Sequence, residues 1–289
     1  MSEAGEGLGV PQPPVAKLNN TERKESEGLR MDFRIDNRHL IKHTIACMDD
    51  NRFSSQEHRE DLVVFQDSAR ALSKRCYDFI AGRASLKQFT ASGGTLEEVT
   101  GFLTNIEQGS EFGKIRQQTE IYIASLKAEW ERNYPQTSQV VQEMAGVDLN
   151  KQVTIWVTHP SLKNGQYLGN NDIAWGHSPE WDNYATVYLW HEVLHSYLDY
   201  TDLSHALIQL IADNELRVRL NEGETYPPFV GHKNLFPLMD KLLPYWHSYL
   251  AEVPVEGKKD LLGFEKVLRT IPEFQNESQG QTPATPVIE

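Results

Sequence analysis

Hydrophobic residues recur at intervals of three and four along most of the first half of the chain. This period predicts amphipathic helices over about residues 36–148, because it places apolar side chains on one face of each helix. The Thr-x-x-Glu start at Thr95 predicts a capping box for one of them. The helix that begins near Phe112 is expected to stop before Pro135, because proline disfavours helical geometry in the residue before it. A shorter helix is then expected to close this half.

The pattern changes after residue 150. Residues 151–159, KQVTIWVTH, alternate and are rich in β-branched side chains, which predicts a strand. Asn164-Gly165 is a turn signal, and an extended pattern resumes after it. The helical period returns in residues 182–200 and 202–223, the second run ending at a glycine, and two last helices are predicted beyond a loop.

These patterns together predict an α+β fold that is predominantly helical, with a small sheet in its second half. The two ends of the chain are rich in Gly, Pro, Glu and Ser and poor in large apolar residues, which favours disorder. The expected organisation is a disordered segment (1–30), a helical N-terminal region (31–148), a catalytic region with the sheet (149–271) and a disordered tail (272–289).

Charge and composition narrow the possible partners. The formal net charge is −13 and no block is rich in Lys or Arg, which disfavours nucleic acid as a partner. No apolar run approaches the roughly 20 residues that span a bilayer. The first 30 residues lack the apolar core of a signal peptide, so a cytoplasmic protein is expected. Cys47 and Cys76 cannot form a disulfide framework and are expected to be buried thiols.

The stretch WHEVLH, residues 190–195, carries the candidate chemistry. His191 and His195 stand four apart, so on a helix both imidazoles lie on one face and can bind one metal ion. Neutral imidazole is a good ligand for Zn²⁺. Glu192 lies about 100° round the helix from His191, where it can take a proton from a water held by the metal. The motif predicts one catalytic zinc ion per chain, with Glu192 as the general base.

A catalytic zinc ion needs a third protein ligand, and two residues can supply it. His205 stands near the start of the following helix, and Glu215 lies in the middle of the same helix. They are about 15 Å apart along a continuous helix, so they cannot bind the same ion together. Glu215 is preferred because a lone carboxylate in an apolar register is costly to bury without a partner. The alternative for Glu215 is an ion pair with Arg217 or Arg219.

These residues resemble the pattern of the gluzincin class of zinc metallopeptidases, and of its thermolysin-like enzymes in particular. HEVLHSYLDYT is similar to their H-E-x-x-H-x-x-x-D-Y-T, and Asn214-Glu215 follows at a similar distance. The resemblance covers about 30 residues. It implies a zincin-like catalytic half in which His191, His195 and Glu215 bind zinc and Glu192 is the general base. The class also binds peptide substrates along an exposed sheet edge, for which residues 168–176 are the candidate here.

The resemblance also has gaps. Arg219 stands where the family has the aspartate that orients the first ligand histidine, so another group must do this. Asp199 is a candidate partner for His195, with a capping role as the alternative. Tyr226 and His232 are weak candidates to stabilise the oxyanion.

The sequence therefore predicts a zinc metallopeptidase that hydrolyses peptide bonds in a peptide or protein substrate. One alternative is a zinc-binding protein without protease activity, in which the helical half is an interaction module. Another is a zinc hydrolase of a different amide substrate. Because a structural zinc site prefers four closed ligands and gains nothing from Glu192, the motif favours an enzyme.

Overall fold

The computed structural model describes residues 28–221, 229–253 and 259–277, so the predictions for the first 27 residues and for 278–289 lie outside the described part of the chain. The sheet has four strands in the order β1-β2-β4-β3. The strands are β1 (Arg30–Arg34), β2 (Gln152–Val157), β3 (Asn164–Gly169) and β4 (Asp172–Gly176). The first three in this order are parallel, and β3 is antiparallel to β4 and forms an edge of the sheet.

Strand β1 corrects the prediction that the N-terminal region is helical only. Its residues pair in parallel with β2, with Met31 opposite Val153 and Phe33 opposite Ile155. The strand is only five residues long and directly follows a polar segment, so its alternation of charged and apolar residues is a weak signal. The first half of the chain thus contributes a strand to the sheet of the second half.

Five helices follow β1: α1 (Asn37–Asp49), α2 (Arg59–Leu72), α3 (Lys74–Ile80), α4 (Leu86–Ala91) and α5 (Leu96–Glu107). Several begin at a residue whose side chain accepts a hydrogen bond from the first turn. The Thr95 side chain accepts from the Glu98 backbone N–H, as the predicted cap requires. Cys47 and Cys76 are both buried free thiols in this part, as predicted.

Helix α6 (Ser110–Ala145) is 36 residues long and runs through Pro135, so the prediction of a helix end before this proline is wrong. Contacts on both sides of the proline hold the helix together. Asn133 donates from Nδ2 to Thr186 Oγ1 at 3.0 Å, and Trp190 donates from Nε1 to Thr137 Oγ1 at 2.9 Å. Tertiary packing here outweighs the local preference of proline, at a cost of about 3 kcal/mol.

The turn of the hairpin also differs from the prediction. Asn164 and Gly165 lie inside β3, and the chain reverses at Asn170-Asn171, both with positive φ (52° and 62°). Asparagine tolerates this left-handed region better than most residues, which makes the pair suitable for a tight turn. The predicted edge strand is therefore corrected as well: residues 168–176 consist of the end of β3, the turn and β4, and β4 lies inside the sheet.

The helices after the sheet pack around it. They are α7 (Tyr184–Leu194), α8 (Asp202–Gln209), a π-helical segment (Leu210–Leu216), α9 (Arg217–Leu220), α10 (Phe236–Ala251) and α11 (Leu261–Thr270). A short 3₁₀ turn, Pro272–Phe274, follows, and Phe274 is fully buried. The predicted disordered tail therefore begins too early.

Two hydrophobic cores share helix α6. Its first turns, with Phe112 and Ile115, belong to the core of α1–α5, whereas Leu126 and Trp130 belong to the larger core formed with the sheet, α7, α8, the π-helical segment, α10 and α11. The two halves of the chain are therefore joined by one continuous helix. No helix in the described part of the chain has the length and apolar character needed to cross a membrane.

Candidate metal centre

Helix α7 places the two histidines of the HExxH motif at the centre of the fold. This helix is apolar nearly all round, which accounts for its burial. His191 is buried, and His195 is half-buried at the end of the helix. Their Nε2 atoms lie 3.3 Å apart, so both imidazoles face the same point.

His205 comes to the same point from the next helix. Helix α8 begins after Thr201, whose hydroxyl accepts from the backbone N–H of Ser204 at 3.1 Å. This cap fixes the start of the helix and puts His205 in its first turn. The Nε2 atom of His205 lies 3.1 Å from that of His191, and its ring is 4.8 Å from the ring of His195.

A fourth histidine, His232, approaches from the loop before α10. The loop is held by Asn214, which accepts from the Val230 backbone N–H at 3.2 Å and donates to its carbonyl at 3.3 Å. Gly231 has a φ of +114°, which favours glycine. His191, His205 and His232 each offer a nitrogen within 4.8 Å of the others, and this group could hold a metal ion.

Asp213 is the group that orients His191, a role that the sequence left without a candidate. Its Oδ1 lies 2.9 Å from Nδ1 of His191, and the carboxylate is fully buried. His205, Gln209 and Asp213 are spaced by four along the helix that α8 and the π-helical segment form. This spacing puts the three side chains on one face of that helix, toward the α7 histidines. The same four-residue spacing can be read from the sequence.

Burial favours the neutral form of three of these histidines. Together with the neighbouring imidazoles, it lowers the pKa of His191 and of His195 to about 3 and that of His205 to about 2. Burial also raises the pKa of Asp213 well above its usual range. Because a metal ion binds the neutral form of imidazole, these side chains are already in the form that a metal requires.

Glu192 lies in the wall of a cavity beside the cluster. The side chain is buried, which raises its pKa to about 8, while a hydrogen bond from the Tyr167 backbone acts in the opposite direction. A Cβ atom added to Gly165 would lie 3.7 Å from Glu192 Oε1. Strand β3, an edge of the sheet, therefore passes directly beside this carboxyl group.

The cavity has a volume of about 590 Å³, within the range of ligand-binding sites. Its lining includes His191, Glu192 and His232 on one side and residues of α1 on the other. The helical N-terminal half thus forms a wall of the space beside the histidines. The two halves of the chain also meet beside this cavity, where the Lys163 backbone N–H donates to the Arg52 carbonyl at 3.2 Å.

Glu215, the preferred third ligand in the sequence, makes a different contact. Its Oε2 accepts from Nε of Arg219 at 3.0 Å, one turn along the helix. This is the ion pair that the sequence left as the alternative. The group of side chains that could hold a metal consists of His191, His205 and His232, so it includes His205 but neither His195 nor Glu215. The geometry favours His205 over Glu215, because Nε2 of His205 lies 3.1 Å from that of His191 and the Glu215 carboxylate is paired with Arg219.

The sequence also offered Asp199 as a partner for His195 and Tyr226 as a group that stabilises the oxyanion. Asp199 is exposed and its Oδ2 accepts from Arg269 at 3.0 Å, so it is not the partner of His195. Among the described residues, Nδ1 of His195 is buried without a hydrogen-bond partner. Tyr226 lies outside the described residues.

Comparisons with family models, with curated proteins and with solved structures return no match for this chain. The function proposed for this chain therefore rests on the geometry of the site.

Proposed function

We propose that the protein is a zinc-dependent hydrolase of amide bonds in peptides, with zinc bound by His191, His195 and His205. The observation that carries this is the place of the His191 Nε2 atom, which lies 3.3 Å from Nε2 of His195 and 3.1 Å from Nε2 of His205. Two nitrogens bound to one tetrahedral zinc ion at 2.0–2.1 Å are about 3.3 Å apart. Imidazole nitrogens suit zinc in chemistry, and the two distances from His191 match this spacing.

The carboxyl group beside His191 supports the same proposal. Metal-bound histidines nearly always have a carboxylate, carbonyl or water on their other nitrogen, and Asp213 stands at this place on His191. The four-residue spacing of His191 and His195 and the capped start of α8 fix the three rings in rigid elements. Zinc would be held by two helices that are buried in the larger core.

A bound zinc ion would supply a Lewis acid and would lower the pKa of a water in the cavity. Glu192 has the position of the general base: it takes the proton of the attacking water and passes it to the leaving amine. His232 is exposed beside His205, with ring centroids 4.7 Å apart, and can donate a hydrogen bond to the oxygen of the tetrahedral intermediate. The free edge of β3 gives an extended peptide a backbone to pair with.

The proximity of His232 also favours a second candidate, a zinc protein without hydrolase activity. If His232 were a fourth ligand, the site would be closed in the manner of structural zinc sites. His232→Ala separates the two functions. A structural site would lose affinity for zinc, whereas the hydrolase would keep zinc and lose turnover.

The proposal is tested by metal analysis followed by a digest of a peptide library. We expect one zinc ion per chain, and cleavage products that are absent when Glu192 is replaced by Gln. The Glu192→Gln variant should keep its zinc, because the side chain is not a ligand. A wild-type protein that binds no zinc, or a Glu192→Gln variant that cleaves as well as wild type, would disprove the proposed mechanism.

A further inference from the structure

We propose that the cavity selects substrates that present a carboxylate toward α1, with Lys42, Arg52 and Lys163 as the specificity-determining residues. This inference rests on the proposed hydrolase function and names the substrate class of the same site. The chemistry is that of a carboxylate, which a peptide can supply from an acidic side chain or from its free C-terminus.

The three cations belong to different segments that converge on one space. Lys42 lies on α1, Arg52 in the connection between α1 and α2, and Lys163 directly before β3, and all three line the cavity. Arg52 and Lys163 are adjacent, since the Lys163 backbone N–H donates to the Arg52 carbonyl at 3.2 Å. The same cavity is lined by His191 and Glu192, so a ligand within it can reach both the cations and the proposed catalytic group.

The charged side chains that line the cavity are mostly basic, whereas the chain as a whole is acidic. The protein has 41 acidic and 28 basic residues, whereas the cavity is lined by three Lys or Arg side chains and one carboxyl group, Glu192. A cavity with walls of low dielectric constant concentrates the field of such charges and attracts ligands of the opposite sign. An acidic protein with a basic cavity therefore favours anionic ligands there.

These cations are poorly compensated within the described part of the chain. Lys42 and Lys163 have no carboxylate within the 4.0 Å of an ion pair there. Arg52 has an ion pair with Asp50, at 3.4 Å from Nε to Oδ2. Its Nε and Nη2 are nevertheless buried without a hydrogen-bond partner among the described residues. Buried donors of this kind are costly unless a ligand satisfies them.

Two histidines lie near these cations. His39 and His43 line the same cavity. Burial lowers the pKa of both, to about 3 for His43, and the nearby charges of Lys42 and Arg52, respectively, act in the same direction. Helix α1 thus contributes Lys42 and two imidazoles of lowered pKa to the lining, and Arg52 and Lys163 add two cations from neighbouring segments. A carboxylate is the group that complements this charge.

The test compares four peptides that are identical except at one internal position and at the C-terminus. One has an internal Glu and an amidated C-terminus, one has Gln and a free C-terminus, one has Gln and an amide, and one has Lys and an amide. Cleavage by the zinc-loaded wild-type protein gives kcat/KM, and fluorescence anisotropy of labelled peptides on zinc-loaded Glu192→Gln gives binding. We expect the Glu peptide or the free C-terminus to be preferred by about tenfold over the neutral amide, the scale of one partly screened charge pair.

Charge-reversal variants test which residues determine the preference for a carboxylate. Lys42→Glu and Lys163→Glu should each remove most of this preference, while Lys87→Glu, an exposed site on α4 away from the cavity, should leave it intact. Lys87→Glu should also cleave the neutral amide as wild type does, because Lys87 does not line the cavity.

The outcomes separate the two proposals. Cleavage without preference for a carboxylate, or preference that survives both reversals, would overturn the inference while the hydrolase stands. Preferential binding of a carboxylate without any cleavage would support the inference and remove the hydrolase. Absence of both binding and cleavage would overturn both.

Discussion

The Oδ1 atom of Asp213 lies 2.9 Å from Nδ1 of His191, while Nε2 of the same ring faces His195 and His205. When Asp213 is ionised, it accepts a hydrogen bond from Nδ1–H, which fixes the orientation of the ring and leaves Nε2 free to bind a metal. The π-helical segment that carries Asp213 is a local widening of the helix, and such segments are frequent at functional sites.

Replacing Asp213 by Asn is expected to weaken zinc binding by about 10- to 100-fold, the usual effect of losing such a partner. The variant has nearly the same size, so the fold should persist. Titration against a chromophoric chelator measures the affinity. Asp199→Asn is the matched control, because Asp199 is exposed and paired with Arg269. Equal affinities in the two variants would contradict the orienting role of Asp213.

The choice between His205 and Glu215 gives a second prediction. His205→Ala should lose stoichiometric zinc, because one of three converging nitrogens is removed. Glu215→Gln should keep zinc, since the carboxylate is paired with Arg219. Metal content of the two purified variants decides the matter. Zinc lost from Glu215→Gln and kept in His205→Ala would restore the ligand set that the gluzincin resemblance implies.

The difficulty of this choice shows what local sequence can predict. His191, Glu192 and His195 lie within five residues, so helical geometry alone relates them. The third ligand depends on the angle between α7 and α8, which the turn after His195 sets and no periodicity encodes.

The sheet illustrates the same limit. Strand β2 was evident from its alternation, but the order of the strands depends on which edges pair. Strand β1 is joined to β2 by more than 100 residues of intervening chain, and its own signal is only five residues long. Pro135 is the opposite case, in which a strong local signal is overruled by contacts that form only in the folded chain.

Gly231 provides a third prediction. An added Cβ would lie 2.5 Å from Gln209 Oε1 and 2.7 Å from Asp213 Oδ2, at a backbone φ of +114°. Gly231→Ala should therefore destabilise the protein by about 1–3 kcal/mol and shift the loop that carries His232. Urea denaturation measures the first effect and kcat the second.

The control for Gly231→Ala is Gly113→Ala. Gly113 lies inside α6, and its added Cβ would meet nothing within 4 Å. Alanine is the better helix former, so this variant should gain up to about 1 kcal/mol. If both substitutions had the same effect on stability, the close approach at Gly231 would not matter energetically.

The last prediction concerns acid stability and is independent of any metal. His159 is fully buried, and both ring nitrogens have partners: Nδ1 accepts from the Ser161 backbone N–H at 3.2 Å, and Nε2 lies 3.0 Å from Gln118 Oε1. A neutral ring that donates from Nε2 satisfies both contacts. Burial, followed by the nearby His58, lowers the pKa of His159 from 6.5 to about 3.

The sign follows from proton binding. Between pH 6.5 and about 3 the unfolded chain binds a proton at His159 and the folded chain does not, so the free energy of unfolding falls as the pH falls through this window. One such histidine contributes a slope of about 1.4 kcal/mol per pH unit. His159→Asn keeps an acceptor for Ser161 and removes the titration, so its stability should fall less steeply between pH 6.5 and 5. Urea denaturation at several pH values measures both proteins, and a His159→Asn slope equal to that of wild type would show that His159 does not govern the acid response.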